Sequence, residues 1–214
     1  MLSKINSMAL HGLDGYLIDV QVDVSNGMPC WELVGLPDTS IKEAKERVKT
    51  AIKNSGYELL SKRIIINLAP ADTKKEGSVF DLPIAIGILV DLGEIKNRLD
   101  KIAFIGELSL DGTINRVNGI LPMCIEAKKL GIKTIIVPKE NSKEAAIVNE
   151  IEVLGVNNLK EVVEYLNGRK KICKTELNLE EIFKNKNTYT IDFSEVKGQE
   201  NIKRALEIAA AGRT

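Results

Sequence analysis

Between Asp81 and Asp91 the chain reads Leu82-Pro83-Ile84-Ala85-Ile86-Gly87-Ile88-Leu89-Val90, nine residues without a polar side chain. A bilayer span needs about 20 such residues, so this run does not cross a membrane. Asp81 is placed to act as a helix N-cap, and Pro83 is tolerated in a first helical turn. A helix from Asp81 to about Leu92 would be apolar nearly all round, and such a helix has to be enclosed by protein. The run therefore predicts a buried core helix.

The flanking patterns supply a sheet. In residues 16–24, Ile18, Val20, Val22 and Val24 point one way and Asp19, Gln21 and Asp23 the other, as in a half-buried antiparallel strand. Residues 25–29 form a turn, and Cys30 to Leu36 returns as a second strand carrying Trp31 and Leu33. A first strand runs from Lys4 to Leu10. Ser40 and Glu43 match a capping box. After it, Ile41, Ala44, Val48, Ala51 and Ile52 share one helical face, Lys42, Lys45, Lys49 and Lys53 the other, and Gly56 marks the stop. Arg63 to Leu68, apolar on both faces, predicts a central strand, followed by a polar loop from Ala69 to Ser78.

Farther on, Ile102 to Leu108 predicts a strand and Asp111-Gly112 a hairpin. A helix over Ile120–Leu130 stops at Gly131. Strand 133–138, helix 140–148, strand 151–156 and helix 158–167 then alternate, which argues for an α/β layer with parallel pairing. Residues 169–188 lose the apolar period and read as a linker. Residues 189–193 suggest a short strand, and Asn201 to about Ala211 a helix.

Composition excludes several classes. The 214 residues are 44% hydrophobic and 28% charged, which is neither disordered nor collagenous. Thirty basic and thirty acidic residues cancel, so overall charge points to neither nucleic acid nor membrane. The distribution is uneven: residues 1–40 carry a local balance of −4 and residues 41–75 one of +5. The latter is either an interaction surface or a solvated helix face. The first residues lack the apolar core of a secretion signal, and the expectation is a soluble, cytoplasmic protein. Cys30, Cys124 and Cys173 are scattered without a C-x-x-C pair, which predicts reduced thiols, Cys30 and Cys124 in packed positions. The single histidine, His11, suits a turn or the surface rather than a zinc site or a triad. No P-loop, G-x-G-x-x-G or H-E-x-x-H stands in the chain.

Two segments resemble a known domain. Residues 67–85, containing Lys74-Lys75-Glu76-Gly77-Ser78-Val79-Phe80-Asp81, are similar to the loop that enters a helix in the proteolytic domain of Lon proteases. So is the Gly106-Glu107-Leu108-Ser109-Leu110-Asp111-Gly112 hairpin, with Gly131-Ile132-Lys133 and the strand to Pro138. Together with Gly35-Leu36-Pro37-Asp38, Lys45-Glu46-Arg47-Val48, residues 192–200 and Lys203 to Gly212, the whole chain resembles the YifB/ComM family of magnesium-chelatase-like AAA+ ATPases.

The resemblance implies an α/β (α+β) fold. Residues 1–168 would form a Lon-protease-like domain with a mixed sheet and packed helices, residues 169–188 a linker, and residues 189–214 the beginning of an AAA+ module whose P-loop lies beyond Gly212. It implies ATP and Mg as cofactors of the intact protein and none for this part. It also implies a homo-oligomeric ring, no membrane, and DNA as the substrate of branch migration in recombination. Lon enzymes use a Ser nucleophile with a Lys base, and the alignment puts Val79 and Leu121 at those positions, where neither side chain can act. Val196, Gly198 and Gln199 resemble the segment that lines the adenine, although Gly198 is equally an ordinary turn before a helix. Lys42, Lys45, Lys49, Lys53, Lys74 and Lys75 are candidate phosphate contacts, a subunit contact being the other reading. A Ser/Lys peptidase and a subunit of a metal-inserting chelatase are the alternative functions.

Overall fold

A computed structural model describes residues 2–59, 62–73, 75–97, 99–177 and 193–212. The chain divides into two compact units, Met1–Leu177 and Asn178–Thr214. In the first, strands β1 (Ser3–His11) and β2 (Asp14–Ser25) form an antiparallel hairpin. The alternation in β2 does what its sequence predicts, with Ile18, Val20, Val22 and Val24 all buried. The next segment departs from expectation. Strand β3 (Cys30–Val34) does not return against β2. It lies one place farther out, parallel to β4 (Arg63–Ala69), and β4 fills the gap by pairing antiparallel with β2. Helix α1 (Thr39–Asn54) makes the crossover that parallel pairing requires. Burial accounts for the choice. Ile64, Ile66 and Leu68 of β4 are buried and suit an interior place, whereas β3 exposes Glu32 and Val34 and suits an edge.

Helix α2 (Asp81–Asp91) is enclosed as expected, buried continuously from Asp81 to Leu89. It lies so close to β1 and β2 that a Cβ on Gly87 would stand 2.6 Å from Val22 Cγ2. The Ser3 hydroxyl donates to the Gly87 carbonyl at 2.9 Å, which satisfies that buried contact. The caps differ from the expected ones. Phe80, not Asp81, is the residue before α2, and Asp81 is its first helical residue. In α1 the N-cap is Asp38 rather than Ser40: its Oδ1 accepts from the Ile41 N–H at 2.8 Å, and its Oδ2 from the Gly77 N–H at 3.1 Å. Asp38 thereby serves a helix and a distant loop at once, which a Ser40–Glu43 box would not do.

Beyond β1 the sheet continues through three parallel strands, β5 (Ile102–Phe104), then β8 (Thr134–Pro138) and β9 (Glu152–Val156), giving the order β3-β4-β2-β1-β5-β8-β9. Here both faces are covered. Phe104, Ile136 and Leu154 join the core formed with α1, α2 and α5 (Leu159–Leu166). Their neighbours Ala103, Ile105, Ile135, Val137 and Val153 pack in a second core with α3 (Ile120–Lys129) and α4 (Ser142–Ala145). This is the mixed α/β class that the sequence pattern predicts.

Some boundaries are corrected. The strand predicted over Ile102–Leu108 leaves the main sheet after Phe104, and Glu107–Leu108 (β6) pairs with Ile114–Asn115 (β7) around the Asp111-Gly112 turn. The helix predicted over 140–148 is a 3-10 turn, Lys139–Asn141, running into the four-residue α4. There Asn141 is buried and exchanges two hydrogen bonds of 2.9 Å with the Val117 backbone. Cys124 is buried, but Cys30 is only half-buried, because its strand is an edge. His11 is exposed at the end of β1.

Of the segment predicted as a linker, residues 178–188 lie outside the described residues. Residues 169–177 stay with the first unit: Lys170 meets Glu161 at 3.1 Å and the Thr175 N–H donates to the Val153 carbonyl on the β9 edge. Residues 189–192 of the expected short strand are also outside the described residues. The second unit contains a 3-10 turn, Phe193–Glu195, and helix α6 (Glu200–Ala210). Among the described residues no helix is long and apolar enough to cross a membrane.

The Gly87 contact predicts the sign of a substitution. Alanine is better than glycine in a helix by about 1 kcal/mol, yet Gly87→Ala drives its methyl into Val22. Overpacking of this kind costs about 1–3 kcal/mol. Urea unfolding of Gly87→Ala should show a net loss of stability, and the loss should shrink when Val22→Ala is present in the same chain. A stabilised Gly87→Ala protein would contradict the close approach.

Candidate functional site

The segment from Lys75 to Leu82 is tied down at both ends by backbone hydrogen bonds. The Lys75 N–H donates to Leu36 O at 3.2 Å and the Asp38 N–H to Lys75 O at 3.1 Å, joining it to the start of α1. The Gly106 N–H donates to Val79 O and the Leu82 N–H to Gly106 O, both at 3.0 Å, joining it to the β6–β7 hairpin. Lys75 itself is fully buried, with its Nζ donating to the Pro70 carbonyl. Burial lowers its pKa, against an opposing pull from Asp72. That removes Lys75 from the candidate phosphate contacts: an ammonium inside the loop does not reach a surface ligand. Lys74 lies outside the described residues.

A buried ion pair anchors the next turn. Arg47 grips Asp81 with both arms, Nε to Oδ2 at 2.7 Å and Nη2 to Oδ1 at 3.1 Å. The Leu108 N–H adds a third bond to Oδ2 at 3.2 Å, and Arg47 Nη2 also donates to Ser40 O. Asp81 is 1% exposed. Its carboxyl is raised to about 6: burial is the largest cause, the Arg47 guanidinium and the Leu108 N–H pull against it, and the charge of Glu107 adds to the rise. Glu107 in turn accepts the Ser78 hydroxyl, and the Asn115 amide at 3.2 Å. Asn115 also reaches Ser109 Oγ at 2.8 Å.

At the positions matched to the Lon dyad, Val79 is half-buried in the turn before α2 and packs against both cores. Leu121 is half-buried in the first turn of α3, its N–H donating to Glu144 Oε1 at 3.4 Å. Neither side chain offers a hydroxyl or an amine. Ser78, the hydroxyl next to Val79, is held by a carboxylate and not by a lysine. A nucleophile needs a base aligned to take its proton, and this arrangement instead binds the loop to the hairpin.

The lysines of α1 have a different setting. Lys42 and Lys53 are exposed, and Lys45 and Lys49 half-buried. Lys45, Lys49 and Lys53 line a cleft of about 690 Å³ together with Trp31 on β3, Tyr57 and Lys62. Lys49 Nζ sits 5.4 Å from the centre of the Trp31 ring. In the second unit, Val196 donates its N–H to Phe193 O, and Gly198 and Gln199 both adopt left-handed backbone angles, φ 72° and 62°, immediately before α6. Among the described residues no group of three or more His, Cys, Asp or Glu side chains could hold a metal ion.

Sequence reasoning did not single out Arg47, Asp81 as an ion-pair partner, Glu107, Trp31, Tyr57 or Lys62. A signal existed for the first two. Arg47 adjoins the apolar stripe between Ala44 and Val48, and Asp81 heads an apolar run that has to be enclosed. Charged residues in such places are seldom buried unpaired.

The raised Asp81 carboxyl makes stability depend on pH with a definite sign. Its folded value, about 6, lies above its ordinary value of 3.8. Between those values the native protein holds a proton that the unfolded chain lacks, so stability should fall as pH rises through this window. Asp81→Asn should flatten that part of the profile. Arg47→Met strands a buried carboxylate and should cost about 3 kcal/mol at pH 7, and clearly less near pH 4, where a protonated Asp81 needs no cation. Urea titrations of the three proteins at several pH values check this. An Arg47→Met cost independent of pH would contradict it.

Comparison with known proteins places this geometry. The family described as subunit ChlI of Mg-chelatase matches residues 20–141, which include α1, the Lys75–Leu82 segment, the hairpin and α3. The competence protein ComM of Haemophilus influenzae is 39% identical over 214 residues, covering 99% of this chain and 42% of that protein. YifB of Escherichia coli is 41% identical over 218 residues, covering 99% of this chain and 41% of that protein. Lon protease 2 of Bacillus subtilis is 28% identical over 181 residues, 75% of this chain and 32% of that one. The chain thus spans about two fifths of the length of the ComM and YifB proteins that it matches from end to end. Its Lon-like likeness is real but weaker, and the chain belongs to the family of the ChlI subunit of Mg-chelatase.

Proposed function

We propose that this chain is a non-proteolytic accessory and assembly domain of a magnesium-chelatase-like AAA+ ATPase of the ComM kind. The intact protein is an ATP-driven homo-oligomeric ring that acts on DNA in the cytoplasm, in branch migration during the recombination of incoming strands. Residues 1–168 are its Lon-like domain, 169–188 a linker whose first nine residues lie with that domain, and 189–214 the beginning of the motor. ATP and Mg belong to the motor, and Val196, Gly198 and Gln199 contribute the adenine edge; consecutive left-handed residues there leave the backbone open to a flat base.

One observation carries the non-catalytic reading. The loop and hairpin keep a tightly bonded backbone, while Val79 and Leu121 occupy the dyad positions and the Ser78 hydroxyl is engaged by Glu107. A missing base costs orders of magnitude in an acyl transfer. The name of the ComM relative, a competence protein, favours DNA as the substrate. The family description favours a second reading, a subunit of a metal-inserting chelatase.

The intact protein should hydrolyse ATP and should do so faster with branched DNA. This chain should neither bind ATP in calorimetry nor cleave unfolded casein, and Ser78→Ala should change neither result. Cleavage abolished by Ser78→Ala would restore the peptidase. ATP turnover indifferent to DNA but coupled to metal insertion into a porphyrin would favour the chelatase.

A further inference from the structure

The cleft between β3 and α1 sets a row of lysines against two aromatic rings. Lys45, Lys49 and Lys53 recur every four residues, so they stack along one face of α1. Trp31 faces them from the edge strand β3, and Tyr57 and Lys62 stand on the segment that returns to β4. The edge position keeps the Trp31 ring half-exposed, although its size would suit the core. Among the described residues these four lysines have no carboxylate partner. Elsewhere on the surface lysines do find acids, as Lys128 finds Glu150 at 3.3 Å and Lys129 finds Glu126 at 2.8 Å. Of the residues lining the cleft, Glu58 is the single acid.

We propose that this cleft binds single-stranded nucleic acid, with phosphates on Lys45, Lys49, Lys53 and Lys62 and a base stacked on Trp31 beside Tyr57. The proposal rests on the DNA reading above and names the strand form that the domain takes. Lysines alone would suit any polyanion. The aromatic faces narrow the choice, because strand-tracking sites pair a basic groove with rings on which bases stack. Bases in a duplex already stack on one another and present only their edges. A free mononucleotide fits less well, since Lys45 and Lys53 are about 12 Å apart along the helix axis, a longer run than one nucleotide's phosphates cover. Lys49 over the Trp31 ring is the unliganded arrangement: the ring holds the ammonium until a base takes that face, and the ammonium then turns to a phosphate.

Trp31 is the single tryptophan of the chain, so its fluorescence reports on this site alone. The test is a low-salt titration of the chain with an oligo-dT of about 12 nucleotides, followed by tryptophan emission and by anisotropy of the labelled strand. Single strand should quench Trp31 and bind more tightly than duplex of equal length. Trp31→Ala should weaken binding roughly tenfold, and Trp31→Phe should retain most of it. Changing Lys45, Lys49, Lys53 and Lys62 to Gln should lower the log–log salt slope by about 0.7 per lysine. Circular dichroism and urea unfolding of each variant separate lost binding from lost fold. Duplex binding as tight as single strand, without quenching, overturns the stacking cleft and leaves the DNA reading standing. Quenching by thymidine monophosphate at the same concentrations overturns it in favour of a small-molecule site. No binding of either nucleic acid overturns the cleft, and the DNA reading then rests on whether branched DNA speeds ATP turnover by the intact protein.

Discussion

An apolar helix with no polar side has to be enclosed, and the enclosure of α2 organises the first unit. Its residues Leu82 to Leu89 are all buried. At about 1.5–3 kcal/mol for each large side chain relative to exposure, no other element among the described residues contributes as much. The sheet on one side must come close enough to leave no void, and at Gly87 the approach to Val22 leaves no room for a methyl. Enclosure also draws the helix's first residue, Asp81, into the interior. A buried carboxylate there requires a cation, and α1 supplies Arg47 from its own packed face. Replacing such a pair by apolar groups is often neutral, so the Arg47–Asp81 bond is not what holds the two helices together. It fixes their register, and with the Leu108 N–H it sets where the β6–β7 hairpin meets them.

The sheet is covered unevenly, and that unevenness decides what can be read from the sequence. On the β3–β4–β2 side, the helices α1 and α2 cover one face. The other is covered by α3 only near Gly15 and Leu17, so from Ile18 to Val24 β2 alternates cleanly and announces itself. On the β5–β8–β9 side both faces are covered, and Ile135, Ile136 and Val137 follow one another without alternation because successive residues enter different cores. Such runs identify buried strands, yet they do not tell which neighbours pair. The place of β3 was hidden for a related reason. Four residues separate Ser25 from Cys30, a link that spans about 13 Å. That reaches the adjacent place in the sheet, about 4.8 Å away, and the next one equally well. Local pattern therefore leaves a hairpin and a skipped strand equal. What separates them is the greater burial of β4, which emerges only when all seven strands compete for the interior.

The candidate site was legible in kind and not in detail. The loop before α2 and the Asp111-Gly112 hairpin could be read from turn chemistry and from a resemblance, because both depend on local residues. Their mutual bonds could not. In sequence Asp38 lies two residues before the Ser40 box, Ser78 beside the Val79 matched to the nucleophile, and Lys75 among the candidate phosphate contacts. Contact decides each role: Asp38 caps α1 and holds Gly77, the Ser78 hydroxyl donates a hydrogen bond to Glu107, and the Lys75 ammonium donates to the Pro70 carbonyl. A sequence displays which groups are polar. It does not display which of them find one another across 29 or 39 residues.

These contacts bear on why a Lon-like loop persists where Val79 and Leu121 stand. If the segment were a relic with no further use, its polar residues would be free to loosen into solvent. Here they are bonded to the N-terminus of α1, to the hairpin and to the buried pair, so the loop is part of what keeps α1 in place. The same helix presents Lys45, Lys49 and Lys53 along its later turns, against Trp31. One element thus anchors the Lon-like loop at its beginning and lines the basic cleft farther on. The bonds that fix the start of α1 also hold its row of cations opposite an aromatic ring, and on the proposed reading a strand threading that cleft would meet a rigid rail rather than a flexible surface.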